Sequence, residues 1–184
     1  MDRDDDQALV ERWQGGDREA LGQLVERYQR PVYNAAFRML GNADDAADTT
    51  QAVFLKIAQH AEDYDPRFRF FSWLYRIAVN ESLNLLRGRG REEPLEEDTD
   101  LPGAPNANPE VQLGEAQLAR HVQAALMKMK AEDRAVLTLR HFSECSYEEI
   151  GEILDLDEKT VKSRLFEARG RLRKQLGYLR IDGK

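Results

Sequence analysis

Apolar residues recur at intervals of three and four through most of the chain, and the alternation a strand needs is almost absent. Leu21, Leu24, Val25, Tyr28 and Val32 form one such series behind Asp17, a residue suited to cap a helix. Pro31 falls inside the series. Proline in a helix interior costs about 3 kcal/mol, so a kink or break is expected there. A second helix is expected to start between Asn42 and Asp45 and to carry Val53, Phe54, Ile57 and Ala58. A third, over 71–87, sets Trp73, Leu74, Ile77, Ala78 and Leu85 on an apolar side.

The pattern stops at Arg87-Gly88-Arg89-Gly90-Arg91. Residues 92–110 hold four prolines, seven acids and no lysine or arginine. Such a segment buries too little apolar surface to offset its ordering entropy, so it is expected to be a flexible linker. Helical spacing then resumes in four pieces: 111–130, 132–141, a third ending at Leu154, and a last one carrying Val161, Leu165, Ala168, Leu172 and Leu176. Ser146-Tyr147-Glu148-Glu149 has the spacing of a capping box, and Asp157 can cap the last helix. With only Asp155-Leu156 between two short amphipathic helices, the pair reads as a helix-turn-helix. The expected fold is all-α: two small helical domains, 1–91 and 111–184, joined by a flexible acidic linker over 92–110, the second with a helix-turn-helix.

Composition narrows the functional classes. The 184 residues, 41% of them hydrophobic, suffice for one domain or two small ones. No apolar run is long enough to span a bilayer, and the acidic start from Met1 to Asp6 is unlike a secretory leader. Cys145 is the only cysteine, which excludes an internal disulfide and a thiolate zinc cage. A cytoplasmic protein without membrane insertion is expected.

The net charge of −7 first argues against a nucleic-acid partner, but its distribution reverses that argument. Residues 92–110 alone carry −7, whereas residues 158–176 carry +5. A local basic stripe is what phosphate contacts require.

Catalytic chemistry finds no support in the residue pattern. His60, His121 and His141 are scattered, and His141 with Cys145 is one isolated pair. No phosphate loop, H-E-x-x-H or nucleophile elbow occurs. No catalytic residue, metal or cofactor is expected.

Nucleic-acid chemistry appears twice. The last helix presents Lys159, Thr160, Lys162, Ser163, Arg164, Phe166, Glu167 and Arg169 beside its apolar stripe. A recognition helix enters the major groove with such N-terminal residues facing base edges. Earlier, Tyr64, Arg67, Phe68, Arg69, Phe70, Phe71 and Trp73 crowd aromatics and arginines together, with Ser72 among them and Arg76 and Asn80 just beyond. Rings on which bases stack, interleaved with guanidinium groups for phosphates, are the chemistry of single-strand binding.

Several segments then resemble one family, in order and over nearly the whole chain. They are Gln29 to Asn34, Asp48 to Lys56, Ser72-Trp73-Leu74-Tyr75-Arg76-Ile77-Ala78-Val79-Asn80, Leu139-Arg140-His141-Phe142, Ser146 to Ile150, and Thr160-Val161-Lys162-Ser163-Arg164-Leu165. These resemble bacterial RNA polymerase sigma factors, and among them the extracytoplasmic-function (ECF, group IV) class, which keeps only the second and fourth sigma domains. The resemblance implies a transcription-initiation subunit that binds core RNA polymerase and promoter DNA. The first domain would read and melt the minus-ten element, holding its non-template single strand on Tyr64, Arg67, Phe68, Arg69, Phe70, Ser72, Trp73, Arg76 and Asn80. The second would read the minus-thirty-five duplex. Asp45, Asp48, Gln51, Phe54 and Lys56 would dock on the polymerase clamp helices, and the linker would thread toward the active-site cleft. An anti-sigma factor is a common partner in the family.

The chain departs from the family at three places. Ala47 and Ala52 stand where acids are usual on the clamp-binding helix. A phosphate on Thr49 or Thr50 would add about −1.5 to −2 charge and restore them. Asp155 replaces the usual glycine of the turn, and Glu167 replaces a frequent basic residue. Residue types alone leave two other readings open: a helix-turn-helix regulator acting on duplex DNA without polymerase, and a helical adaptor that binds only protein. The aromatic cluster separates the polymerase-dependent reading from the first of these, because a duplex-only regulator has no need to hold unpaired bases.

Overall fold

A computed structural model of the chain describes residues 3–89 and 109–177, and the regular elements among them are helices. The first half holds α1 (Arg3–Gln14), α2 (Arg18–Leu40), α3 (Ala43–Gln59), a 3₁₀ turn (Ala61–Asp63) and α4 (Phe70–Arg89). The second holds α5 (Pro109–Met127), α6 (Ala131–His141), α7 (Tyr147–Leu154) and α8 (Glu158–Gln175). The linker expected over 92–110 lies outside the described residues as far as 108. None of the described helices is long and apolar enough to cross a membrane.

The central helix is α2, which touches α1, α3 and α4. Its start follows from Asp17, whose carboxylate accepts the N–H groups of Glu19 at 2.9 Å and Ala20 at 3.3 Å. Its end follows from Gly41, at φ 75°, whose N–H returns to the Phe37 carbonyl. The left-handed conformation calls for glycine, and a β-carbon at residue 41 would also stand 2.4 Å from Met127 Sδ, so that side chain would have to shift. Of the kink or break expected at Pro31, the break does not occur: α2 runs through the proline. Leu24, Val32 and Met39 are almost wholly buried along the same helix. At about 1.5–3 kcal/mol for each buried side chain, they outweigh the cost of one missing hydrogen bond.

The sequence pattern also missed α1. Leu9, Val10 and Trp13 bury one face of it against the rest of the first half. Its acids are structural too: Arg27 pairs with Asp5 and Asp6, and the Tyr28 hydroxyl donates to Asp6.

In the second half, Ser146 and Glu149 form the expected capping box, each side chain accepting the other's main-chain N–H. Replacing Ser146 by alanine removes one of these bonds, and the urea midpoint should fall by an amount equivalent to about 1 kcal/mol. Asp155 takes the left-handed conformation (φ 55°, ψ 54°) at the end of α7, and Asp157 accepts the Thr160 N–H at the start of α8. The turn is close enough that a β-carbon at Gly151 would lie 2.7 Å from the Leu156 carbonyl oxygen.

The halves meet along the C-terminal end of α2. Gln123 of α5 donates to the Phe37 carbonyl and accepts from Arg38, both at 3.1 Å. Arg134 of α6 reaches across to the Met39 carbonyl and also donates to Met129 O at 3.1 Å. Burial holds this guanidinium below the ordinary arginine range. Both halves contribute to one continuous buried cluster.

Candidate nucleic-acid interfaces and polymerase groove

Three faces carry the residues that the sequence singled out. On α8, the apolar side is narrow: Val161, Leu165 and Ala168 are buried, while Lys159, Lys162, Ser163, Arg164, Phe166 and Glu167 are exposed. Phe166 is 80% exposed, an unusual position for a large ring and one that leaves it free to meet another surface. Lys162 lies 2.6 Å from Glu158 and over the Tyr147 ring at 5.6 Å, and the ion pair holds its ammonium above the usual lysine range. Glu167 pairs with Arg171 at 2.8 Å, and Arg171 also reaches Asp133 of α6 at 2.6 Å. The Thr160 hydroxyl donates to Asp157, so this residue serves the cap as well as the face. Arg169 donates to His141 Nε2 at 3.1 Å, and burial with the nearby arginines depresses the His141 imidazole. Arg169 is thus turned toward α6 rather than along the outer face.

The second face is the 64–69 loop and the start of α4. The Tyr64 hydroxyl donates to the Phe68 carbonyl at 2.8 Å, and Asp65 accepts from both the main chain and guanidinium of Arg67. These bonds hold the loop so that Phe68 stays 47% exposed beside exposed Arg67 and Arg69. Arg76 and Asn80 are exposed farther along α4. Three residues expected to face unpaired bases are core residues instead. Tyr64 is 6% exposed, and Phe70 and Ser72 are 2% exposed. Phe70 has Trp13, Tyr28, Tyr64 and Trp73 around it at centroid distances of 5.6 to 6.5 Å. Trp73 is half-buried against Tyr64. An aromatic run cannot show which rings close the core and which look outward. Burial separates them.

The third face is an apolar groove between α2 and α3. Val25, Gln29 and Tyr33 line one wall, and Gln51, Phe54 and Leu55 the other, with Leu55 57% exposed. Of the residues expected to dock polymerase, Gln51 and Phe54 line this groove and Asp48 is exposed on the same helix. Asp45 and Lys56 are turned to α4 instead, where they pair with Arg89 and Glu81, each at 2.5 Å. Sequence reasoning missed Val25, Gln29, Tyr33 and Leu55. The signal was present as a spacing of four along α2, matched by Ala47, Gln51 and Leu55 on α3. The phosphorylation idea does not survive at Thr49, which is 6% exposed, and the Thr50 hydroxyl already donates to the Ala46 carbonyl at 2.6 Å.

A helical half bearing a braced aromatic-arginine loop, followed by a helical half bearing a capped helix-turn-helix, defines a sigma-type protein. The Sigma-70 region 2 family matches residues 24–92, and the Sigma-70 region 4 family matches residues 119–172. The chain is 37% identical over 178 residues to the ECF RNA polymerase sigma factor SigE of Mycolicibacterium smegmatis, covering 96% of this chain and 66% of that protein's length. It is also 37% identical over 174 residues to the ECF RNA polymerase sigma-E factor of Haemophilus influenzae, covering 89% of this chain and 91% of the relative. Among solved structures, CnrH in complex with the cytosolic domain of CnrY matches with a TM-score of 0.72 at 25% identity, over 95% of this chain and 98% of that one. The chain belongs to the ECF RNA polymerase sigma factors.

Proposed function

We propose that this chain steers core RNA polymerase to promoters by dividing recognition between its halves. The domain over 1–91 docks on the polymerase clamp helices through the α2–α3 groove and holds the melted minus-ten strand. The domain over 111–184 reads the minus-thirty-five duplex with α8, and residues 92–110 connect the two. The carrying observation is that both interfaces occur in one chain. A duplex-only regulator needs the helix-turn-helix but neither the exposed Phe68 with its flanking arginines nor an apolar groove. In this reading Phe68, Arg67, Arg69, Arg76 and Asn80 contact the displaced strand, whose flipped base costs a few kcal/mol of stacking that the site must return. Polymerase carries out RNA synthesis and this chain supplies recognition, so it is assigned no chemistry of its own. The site of action is the cytoplasm, and the family likeness adds an anti-sigma factor as a proposed regulatory partner.

The deciding experiment is run-off transcription with core polymerase and this chain as the only initiation factor. Promoter-specific transcripts are expected. Polymerase that stays silent while the chain still binds duplex would favour the free-standing regulator. Within α8, Arg164→Ala should weaken minus-thirty-five duplex binding about tenfold, measured by fluorescence anisotropy. Lys162→Ala should do less, because Lys162 is already engaged by Glu158.

A further inference from the structure

One residue of α8 has the wrong charge for its place. Residues 159–176 carry seven lysines and arginines and a single carboxylate, Glu167. A DNA duplex bears a negative charge about every 1.7 Å of its length, so a carboxylate brought against it is repelled unless it accepts a hydrogen bond there. Glu167 does not turn inward to avoid this. Val161, Leu165 and Ala168 take the buried side of α8, whereas Ser163, Glu167 and Gly170 follow one another at four and three residues along the other side. At Gly170 a β-carbon would meet nothing within 4 Å, so the row is bare just beyond the carboxylate.

The carboxylate is also held. Arg171, one turn on, donates Nη2 to Glu167 Oε2 at 2.8 Å and Nη1 to Asp133 Oδ2 of α6 at 2.6 Å. The Asp133 side chain is only 10% exposed, against 56% for Glu167, so the bridge runs from a packed acid to a solvent-facing one. The donors of a guanidinium lie in a rigid plane, so it fixes the direction of a carboxylate as well as its place. Glu167 Oε1 has no hydrogen-bond partner among the described residues.

We propose that Glu167 reads a cytosine in the minus-thirty-five duplex, accepting an N4 amino hydrogen on Oε1, with Arg171 and Asp133 as positioning residues. This inference rests on the proposed promoter reading of α8. The major groove offers two amino donors, cytosine N4 and adenine N6. The adenine amino group lies between two acceptors, its own N7 and the O4 of the paired thymine, and both repel a carboxylate. The cytosine amino group has an acceptor, guanine O6, on one side only. Thymine and guanine turn acceptors alone toward the same place. A carboxylate therefore selects cytosine as much by what it rejects as by the bond it makes.

The test uses the full chain with core polymerase. A pool of promoter duplexes, randomised at both elements and each carrying a barcode in its transcribed part, is transcribed, and the products are sequenced. At one base pair of the minus-thirty-five element the parent chain should favour cytosine over thymine about tenfold. Glu167→Ala, a change at an exposed position, should erase that preference and leave the other base pairs as they were. Glu167→Gln should move it toward adenine, whose N6 and N7 suit an amide. Asp133→Asn keeps the shape of the packed side chain while weakening its hold on Arg171. It should cut the preference at the same base pair about two- to fivefold, whereas a merely structural Asp133 would lower transcription from all templates alike. A parent chain with no cytosine preference, or a preference that survives Glu167→Ala, overturns the reading. A preference undiminished by Asp133→Asn overturns the positioning. In each case selection at the other base pairs leaves the promoter reading standing. Transcription that selects no template at all removes the promoter reading itself.

Discussion

Phe70→Ala should cost about 3–5 kcal/mol of stability and abolish strand binding only because the first half no longer folds. The ring is 2% exposed and meets four other aromatic rings edge-on or tilted. Each such pair adds about 0.5–1.5 kcal/mol beyond the buried area. No neighbour can fill the space, since Tyr28 is tied to Asp6 and Tyr64 to the Phe68 carbonyl. Phe68→Ala should behave in the opposite way. With 47% of the residue exposed, its loss leaves the urea midpoint nearly unchanged while removing about 1–3 kcal/mol of stacking on a single strand. Paired urea melts and anisotropy titrations distinguish the two substitutions. A Phe70→Ala chain as stable as the parent, with strand binding alone reduced, would return Phe70 to the strand-reading face.

Leu55→Glu should weaken binding to core polymerase by at least about 30-fold, the equivalent of about 2 kcal/mol at an interface hot spot. Leu55 contributes apolar surface to the groove wall while 57% exposed, so a carboxylate there is solvated in the free chain and the fold is undisturbed. On docking it must be desolvated without a partner, which is the source of the penalty. Phe54→Ala is a poorer test because Phe54 is packed against the core and its loss confounds binding with stability. Equal polymerase affinity for Leu55→Glu and the parent, with unchanged thermal melts, would move the docking surface off this groove.

Legibility in the sequence tracked the range of the interaction. The caps at Asp17, Ser146 and Asp157 involve partners two or three residues away, and all three appear in the structure as side-chain bonds. Pro31 does not break the helix because local propensity competes with burial, and α2 lies among three other helices of the first half. The first helix was hidden for the converse reason: Asp4, Asp5 and Asp6 look like a solvated terminus until Arg27 and Tyr28 are seen to receive Asp5 and Asp6. The aromatic-arginine cluster was legible as a cluster, but not its inside and outside. Least legible was the contact between halves. Arg134 and Gln123 donate to main-chain carbonyls 95 and 86 residues away, and a carbonyl is present at every position.

The anchoring of α8 separates two kinds of information around one cylinder. Val161, Leu165 and Ala168 hold it against its neighbours, and bare Gly151 together with left-handed Asp155 sets the angle at which it leaves α7. Lys159, Ser163, Arg164 and Phe166 contribute little to that anchoring. Under the proposed promoter reading, the alphabet displayed to DNA can therefore be rewritten at these positions while the frame is kept, which would make the helix a replaceable reading head for retargeting transcription to chosen promoters.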